Sequence, residues 1–203
     1  MNQDSNKILW VIAGANGSGK TSLVQKYKSK LTDKVQFVNP DDIAKKIDDS
    51  YDGKDMALIQ RAGRETIKIQ RELLKNGKSF GFETTLSGQR DLRIMQQAKD
   101  LGYKVKLAYI GLNSPINNIK RVNDRVVEGG HFVAPKDIVR RYDKSMANLL
   151  KGTRLANSVY IFDNSKDNHY LVMKIRDNKI IRNIENKPKW IPLDFMTFIE
   201  MLR

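Results

Sequence analysis

The sequence ILWVIAGANGSGKTS, residues 8–22, decides the fold. Its first five residues, Ile8 to Ile12, are apolar and predict a short buried strand. Residues 14–21 then fill every fixed position of the pattern G-x-x-x-x-G-K-[ST], and Thr21 to Lys30 read as a helix. A strand, a glycine-rich loop and a helix in this order predict a P-loop, in which backbone N–H groups and a helix N-terminus surround a phosphate.

The residue types in this loop suit a nucleoside triphosphate with magnesium. Gly14 and Gly17 permit turns that a Cβ would forbid, Lys20 reaches the β and γ phosphates, and the Thr21 hydroxyl suits a magnesium ligand. A P-loop identifies a phosphate site and not a reaction. The predicted nucleotide-binding residues are Gly14, Ala15, Asn16, Gly17, Ser18, Gly19, Lys20, Thr21 and Ser22, with Thr21 as the metal ligand.

The composition bounds the class of protein. A chain of 203 residues with 40% hydrophobic content predicts one globular α/β domain over residues 1–203. The sequence has no cysteine, which excludes disulfides and thiolate sites. The apolar runs are too short to span a bilayer, and the polar start MNQDSNK lacks the apolar segment of a signal peptide. We therefore expect a cytoplasmic protein with no membrane contact.

The charge is strongly positive. Lys and Arg number 37 against 23 Asp and Glu, a formal net charge of +14. Such a charge attracts nucleic acid, anionic membranes or phosphorylated small molecules. Because the basic residues are scattered along the chain, a generally basic surface is the simpler interpretation, and nucleic-acid binding stays an alternative.

A second short strand, residues 35–38, is followed by Asn-Pro-Asp-Asp. Asn39 is typical of a helix N-cap, with Pro40 at the first helical position. Two interpretations of Asp41 and Asp42 remain open: they complement the helix dipole, or one supplies a general base at the carboxyl end of the strand.

A third strand, Ser79 to Leu86, ends in an acid and two hydroxyls. Because a buried carboxylate needs partners, Glu83, Thr84 and Thr85 suit hydrogen bonding to a hydroxylated substrate or to a magnesium-bound water. The alternative is the exposed start of a loop. The helix before this strand, residues 55–76, carries Arg64 on its charged face, and this side chain reaches a ligand only if the helix borders the cleft.

The remaining pattern completes an α/β chain. Further strands are predicted at residues 103–112 and 158–162, followed within residues 166–203 by a β-hairpin around Asp177-Asn178 and a closing helix. Five strands that alternate with helices predict a doubly wound parallel sheet with helices on both faces, plus the C-terminal hairpin and helix.

Residues 115–151 read as two helices around Gly129-Gly130. Their clustered arginines predict a lid that closes over phosphates, although two solvated surface helices would give the same pattern. His131 follows the two glycines and is a candidate substrate-binding residue, or a structural histidine that caps or packs. The candidate lid arginines are Arg121, Arg125, Arg140 and Arg141.

Four stretches together resemble the zeta-toxin kinase family, in the branch of bacterial proteins often labelled predicted ABC-type ATPases. The resemblance covers approximately residues 8–165, and the motifs occur in order at plausible spacings. They are GANGSGKTS at 14–22, NPDD at 39–42, GFETTLSG at 81–88 and RVNDRVVEGGHFVAPKDIVRRY at 121–142.

The resemblance implies a P-loop kinase fold and transfer of the γ-phosphate of ATP to a hydroxyl. In characterised relatives this is the 3′-hydroxyl of the sugar in UDP-N-acetylglucosamine. The resemblance further implies that Lys20 and Thr21 hold ATP and magnesium, and that Asp41 is the base. It assigns Glu83 and Thr85 to substrate binding and Arg121 to the first lid arginine.

The second lid arginine does not align cleanly, because this chain has Gly-Gly-His in that region. Arg125, Arg140 and Arg141 are candidates, and we rank Arg125 and Arg140 first. Toxins of the family are held silent by a small antitoxin, which makes an antitoxin a candidate partner. Three hypotheses stay open: a kinase for a nucleotide sugar, a nucleic-acid kinase or ATP-dependent RNA-binding protein, and a nucleotide-gated binding module without chemistry.

Overall fold

The computed structural model describes residues 7–27, 35–51, 55–166 and 168–202. The end of the helix predicted from Thr21 to Lys30 lies outside these residues. The strands are β1 (Ile8–Ala13), β2 (Gln36–Val38), β3 (Phe80–Thr84), β4 (Lys104–Gly111), β5 (Ser158–Asp163), β6 (Tyr170–Arg176) and β7 (Lys179–Asn183). The helices are α1 (Lys20–Lys26), α2 (Pro40–Ile47), α3 (Met56–Lys75), α4 (Gln89–Asp100), α5 (Pro115–Val127), α6 (Pro135–Leu155) and α7 (Leu193–Met201).

The strands form one sheet in the order β2-β3-β1-β4-β5-β6-β7. The first five are parallel, and β1 lies between β3 and β4, with Ile12 opposite both Glu83 and Ala108. Because β1 is central, the P-loop that follows it emerges at the middle of the carboxyl edge of the sheet. The ends of β2 and β3 lie on one side of the loop, and the ends of β4 and β5 lie on the other.

The C-terminal hairpin extends this sheet, so the sheet has seven strands across the described residues and the expectation of about five was too low. β6 pairs antiparallel with β5, and β7 pairs antiparallel with β6. The predicted turn is confirmed: Asp177 and Asn178 have φ angles of 46° and 59°, the left-handed conformations that a tight hairpin turn requires.

The two faces of β1 enter different hydrophobic cores, because alternate strand residues point to opposite sides. Leu9 and Val11 pack in the larger core, which includes buried residues of α3, α4, α6 and α7. Trp10 and Ile12 pack in the smaller core with Leu23 of α1. Helices therefore cover both faces, which confirms the doubly wound architecture.

Among the described helices, none is both long enough and apolar enough to cross a membrane.

The two helices of the predicted lid region differ in their attachment to the sheet. The apolar cluster of Val122, Val133 and Ile138 joins α5 to α6. The second half of α6 packs on the sheet: Leu149 is buried in the larger core, and the hydroxyls of Ser145 and Tyr109 lie 2.9 Å apart. α6 is therefore fixed to β4 at this half.

Candidate active site

A cleft of about 470 Å³ lies at the carboxyl ends of the parallel strands. Four segments that are distant in sequence form its walls: the P-loop, the start of α2, the end of β3, and α5 with the residue after β5. The lining residues are Asn16, Gly17, Gly19, Lys20, Thr21, Ser22, Asn39, Pro40, Asp41, Glu83, Thr84, Thr85, Arg121, Arg125 and Asn164.

The P-loop glycines are required by conformation and by space. Gly14, Gly17 and Gly19 have φ angles of 146°, 74° and 94°. A Cβ on Gly14 would lie 2.3 Å from the Ile110 carbonyl oxygen, and one on Gly17 would lie 2.5 Å from the Asn118 carbonyl oxygen. The loop therefore fits against β4 and α5 only with glycine at these positions.

Lys20 lies inside the loop. Its Nζ donates to the carbonyl oxygens of Gly14 at 2.8 Å and Ala15 at 3.1 Å. Burial lowers the pKa of Lys20 from 10.5 to about 8, and the carboxylate of Glu83 opposes this shift. The guanidinium groups of Arg125 and Arg141 lower the pKa further. The loop thus holds a concentration of positive charge that favours an anion.

Thr21 and Glu83 bring two oxygen ligands together at the entrance to the loop. The Thr21 hydroxyl donates to Glu83 Oε2 at 2.9 Å. Burial raises the pKa of Glu83, while Lys20 and the Thr21 hydrogen bond lower it in part. Within the described residues, no group of three or more histidine, aspartate or glutamate side chains is arranged to hold a metal.

The start of α2 has both features that the sequence suggested for it. The Asn39 side chain accepts from the backbone N–H of Asp41 at 3.0 Å, which confirms the N-cap. Asp41 and Asp42 lie in the first turn, where their charges complement the helix dipole. Asp41 also lines the cleft, and the Tyr51 hydroxyl donates to its Oδ1 at 3.3 Å.

The two threonines at the end of β3 have different environments. The Thr84 hydroxyl donates to the largely buried carboxylate of Asp91 and accepts from the backbone N–H of Leu86 at 2.9 Å. The Thr85 hydroxyl lies 2.8 Å from the Ser87 hydroxyl. Both residues line the cleft, but Thr84 is engaged in holding the loop after β3, whereas Thr85 and Ser87 form a hydroxyl pair near the cleft wall.

The four candidate lid arginines are placed differently. Arg121 donates to the carbonyl oxygens of Asn164 and Lys166, and the Arg125 guanidinium donates to the His131 carbonyl oxygen at 2.8 Å. Arg140 is exposed and pairs with Asp137 on its own helix at 2.8 Å.

Arg141, which we ranked behind Arg125 and Arg140, is half-buried and donates to Asn16 Oδ1 of the P-loop at 3.1 Å. Arg121 and Arg125 line the cleft. Arg140, His131 and Arg64 do not, and Arg64 is exposed on α3.

Three residues outside the motif hold P-loop carbonyl groups. The side-chain amide of Asn118 donates to the Asn16 carbonyl oxygen at 2.6 Å, and that of Asn164 donates to the Ser18 carbonyl oxygen at 2.9 Å. His169 Nε2 lies 2.9 Å from the Gly19 carbonyl oxygen. Sequence reasoning missed all three, because each contact joins residues more than 100 positions apart.

The chemistry of the cleft fits a polyphosphate. The carbonyl groups of Gly14, Asn16 and Ser18 accept from Lys20 or from side-chain amides. The N–H groups of Gly14 and Ser18 donate to the carbonyl oxygens of Thr84 and Ala15, so the other N–H groups of the loop are the candidates for binding phosphate. The Ser18 hydroxyl oxygen is buried without a hydrogen-bond partner among the described atoms. Glycines, a buried lysine and a hydroxyl ligand for a divalent cation together match the requirements of a nucleoside triphosphate.

Comparison with known proteins gives a family and structural relatives. The zeta toxin family model matches residues 1–174. An uncharacterized protein of Haemophilus influenzae is 38% identical over 144 residues, which are 67% of this chain and 98% of that protein. The structure from the PezAT chromosomal toxin–antitoxin system of Streptococcus pneumoniae aligns with a TM-score of 0.60 and 17% identity, covering 85% of this chain and 72% of that one.

The complex of AvrRxo1-ORF1 and AvrRxo1-ORF2 with ATP aligns with a TM-score of 0.66 and 19% identity. It covers 87% of this chain, which in turn spans 60% of the matched chain. At such identities the structural likeness shows the fold alone, that of a P-loop kinase. The family model covers most of the sequence, including the P-loop, α2, β3 and both arginine-bearing helices. The chain therefore belongs to the zeta-toxin family and is an ATP-binding P-loop phosphotransferase.

Proposed function

We propose that this protein transfers the γ-phosphate of ATP to a hydroxyl of a small molecule, a nucleotide sugar of the UDP-N-acetylglucosamine type. The observation that carries the proposal is the position of Asp41, whose carboxylate lines the same cleft as Lys20 and Thr21. A phosphate cradle alone would serve a binding module. A carboxylate in the same cleft as the phosphate cradle gives the site a base for an acceptor hydroxyl.

The chain's own groups supply most of what phosphoryl transfer needs. The backbone N–H groups of the P-loop other than those of Gly14 and Ser18, together with the ammonium of Lys20, would hold the β and γ phosphates. Arg121, Arg125 and Arg141 would oppose the charge that spreads over the phosphoryl oxygens.

Thr21 and Glu83 are the residues that would hold magnesium, either directly or through a bound water. Magnesium sites in such enzymes take one or two protein oxygens and complete their coordination with phosphate and water, so this pair is sufficient. When bound, magnesium neutralises phosphate charge and aligns the phosphate oxygens.

Asp41 would accept the proton of the acceptor hydroxyl. Its carboxylate is exposed to the cleft, and the Tyr51 hydroxyl fixes one of its oxygens. The acceptor side of the cleft has the carboxylate of Glu83, the hydroxyl of Thr85 and the positive charge of the arginines. In a nucleotide sugar, the sugar hydroxyls can hydrogen-bond to Glu83 and Thr85, and the phosphates can pair with the arginines. This match supports a nucleotide sugar as the acceptor.

The direct test is ADP release by the purified protein with ATP and magnesium, with and without UDP-N-acetylglucosamine. We expect turnover that depends on the acceptor and a product heavier by one phosphate in mass spectrometry. If ATP binds and the nucleotide sugar is not phosphorylated, this acceptor is wrong. Transfer to RNA ends in a parallel reaction, weakened by added salt, would instead favour the nucleic-acid kinase that the charge of +14 suggests.

The arginines of α6 offer a matched pair of substitutions. Arg141→Ala is expected to lower kcat/KM about 10- to 100-fold, because Arg141 lies beside the P-loop and its charge reaches Lys20. Arg140→Ala is expected to lower it less than about threefold, because the side chain faces solvent and pairs with Asp137. Steady-state kinetics of both variants would show which arginine contributes more to transfer. A larger loss of kcat/KM in Arg140→Ala than in Arg141→Ala would contradict this prediction.

An antitoxin partner is part of the same proposal. The PezAT structure comes from a toxin–antitoxin system, and the matched AvrRxo1 chain was solved as a complex with a second protein. The charge of +14 would favour an acidic partner.

A further inference from the structure

Asn164, the first residue after β5, joins three parts of the site. Its side-chain Nδ2 donates to the Ser18 carbonyl oxygen at 2.9 Å, and its backbone carbonyl accepts from Arg121 at 2.8 Å. Its backbone N–H donates to the carbonyl oxygen of Gly111, at the end of β4, at 3.0 Å. With 7% of its surface exposed, it is largely buried between the P-loop and the sheet.

The neighbours of Asn164 connect this residue to the C-terminal segment. Asp163 Oδ1 accepts from Trp190 Nε1 at 3.1 Å and from the backbone N–H of Ser165 at 3.2 Å. The Trp190 ring packs on Gly111, where an added Cβ would lie 2.4 Å from it. Trp190 lies beyond residue 174, where the family match ends. A part of the chain outside the matched region therefore holds Asp163, the neighbour of the residue that contacts the P-loop.

The contact also determines which residue the P-loop accepts at position 19. Gly19 has a φ of 94°, and a Cβ there would lie 2.4 Å from the Asn164 side-chain nitrogen. The amide of Asn164 thus occupies the space where a side chain would stand. His169 Nε2 lies 2.9 Å from the Gly19 carbonyl oxygen, so side chains contact two consecutive carbonyl groups of the loop.

We propose that Asn164 is a positioning residue for the phosphate site: its amide turns the Ser18 carbonyl away from the cleft, so that the loop N–H groups face the phosphates. The proposal rests on the function proposed above, because the phosphates are those of ATP. A P-loop peptide that rotates presents a carbonyl oxygen where an N–H is needed, and this converts attraction of an anion into repulsion. Arg121, bound to the backbone of the same residue, would be positioned together with the loop.

The test compares Asn164→Ala with Asn148→Ala. Asn148 is also buried, and its Nδ2 also donates to a backbone carbonyl at 2.9 Å, that of Leu86. Each substitution removes one buried amide–carbonyl hydrogen bond, so the two variants should lose similar thermal stability. Only Asn164→Ala is expected to weaken ATP binding. Its dissociation constant and its KM for ATP should be about tenfold higher than those of the wild type, while kcat should stay within about threefold.

The two proposals fail in different ways. ATP titration of the wild-type protein needs no acceptor, so absence of binding there would refute the nucleotide site itself. If the wild type binds ATP and the two variants bind it equally well, Asn164 has no positioning role. Should Asn164→Ala not fold, Trp190→Phe replaces it: this variant keeps a ring on Gly111 and loses the N–H to Asp163. We then expect ATP to bind about threefold more weakly, and unchanged binding would overturn the proposal.

Discussion

Replacing Asp41 by asparagine is expected to lower kcat for phosphoryl transfer about 10²- to 10⁴-fold, which is the usual contribution of a general base. The amide has the same shape as the carboxylate and can still accept the hydrogen bond from Tyr51, but it cannot take a proton. The phosphate cradle is not altered, so the dissociation constant for ATP should stay within about threefold. Single-turnover transfer and ATP titration on the same preparation measure the two effects.

Asp42→Asn is the matched control for this substitution. Asp42 lies in the same first turn of α2, where it shares the favourable interaction with the helix dipole, but it does not line the cleft. We expect its kcat to stay within about threefold of the wild type. Equal losses of kcat in the two variants would mean that both carboxylates act by stabilising the start of α2. Full transfer activity in Asp41→Asn would show that Asp41 is not the base.

The parts of the fold that could be predicted are those specified by short stretches of sequence. The glycine spacing of residues 14–19, the Asn39 N-cap and the hairpin turn at 177–178 each depend on local backbone geometry, so the sequence states them directly. The extension of the sheet by the hairpin depends on which edge is free after folding. That is a tertiary property, and it caused the low strand count.

The residues of the site could be predicted where a local sequence pattern places them, as for the fold. Residues after β1, β2 and β3 could be grouped, because the carboxyl ends of parallel strands meet at one edge. Asn118 and His169 carry no local signal of a role at the P-loop. Asn164 directly follows β5, so the rule for the carboxyl ends of parallel strands would have placed it at this edge too. Arg141 did carry one: Ile138 and Ser145 mark the buried face of α6, and Arg141 falls between them at helical spacing. Helical periodicity would have placed Arg141, rather than Arg140, toward the P-loop.

The substitution Lys20→Met is expected to weaken ATP binding at least about 100-fold, because a charged donor inside the loop is lost. Lys26→Met is the control, since Lys26 is exposed at the other end of α1. In the wild type, ATP binding should also weaken above pH 8, because Lys20 of the nucleotide-free protein loses its proton there. Titrations between pH 7 and 9 would test this, and a pH-independent affinity would contradict it.

The same substitution should affect stability in the opposite direction. The pKa of Lys20 is lowered to about 8 in the folded protein and lies near 10.5 when the chain is unfolded. Between these values the unfolded state binds more protons, so the stability of the wild type rises with pH through this window. Below pH 8, burial of the charged ammonium costs stability, and methionine removes that cost. We therefore expect Lys20→Met to raise the Tm of the nucleotide-free protein at pH 7, with an advantage that shrinks toward pH 10. A Tm difference that does not change with pH would show that the charge of Lys20 does not destabilise the nucleotide-free protein.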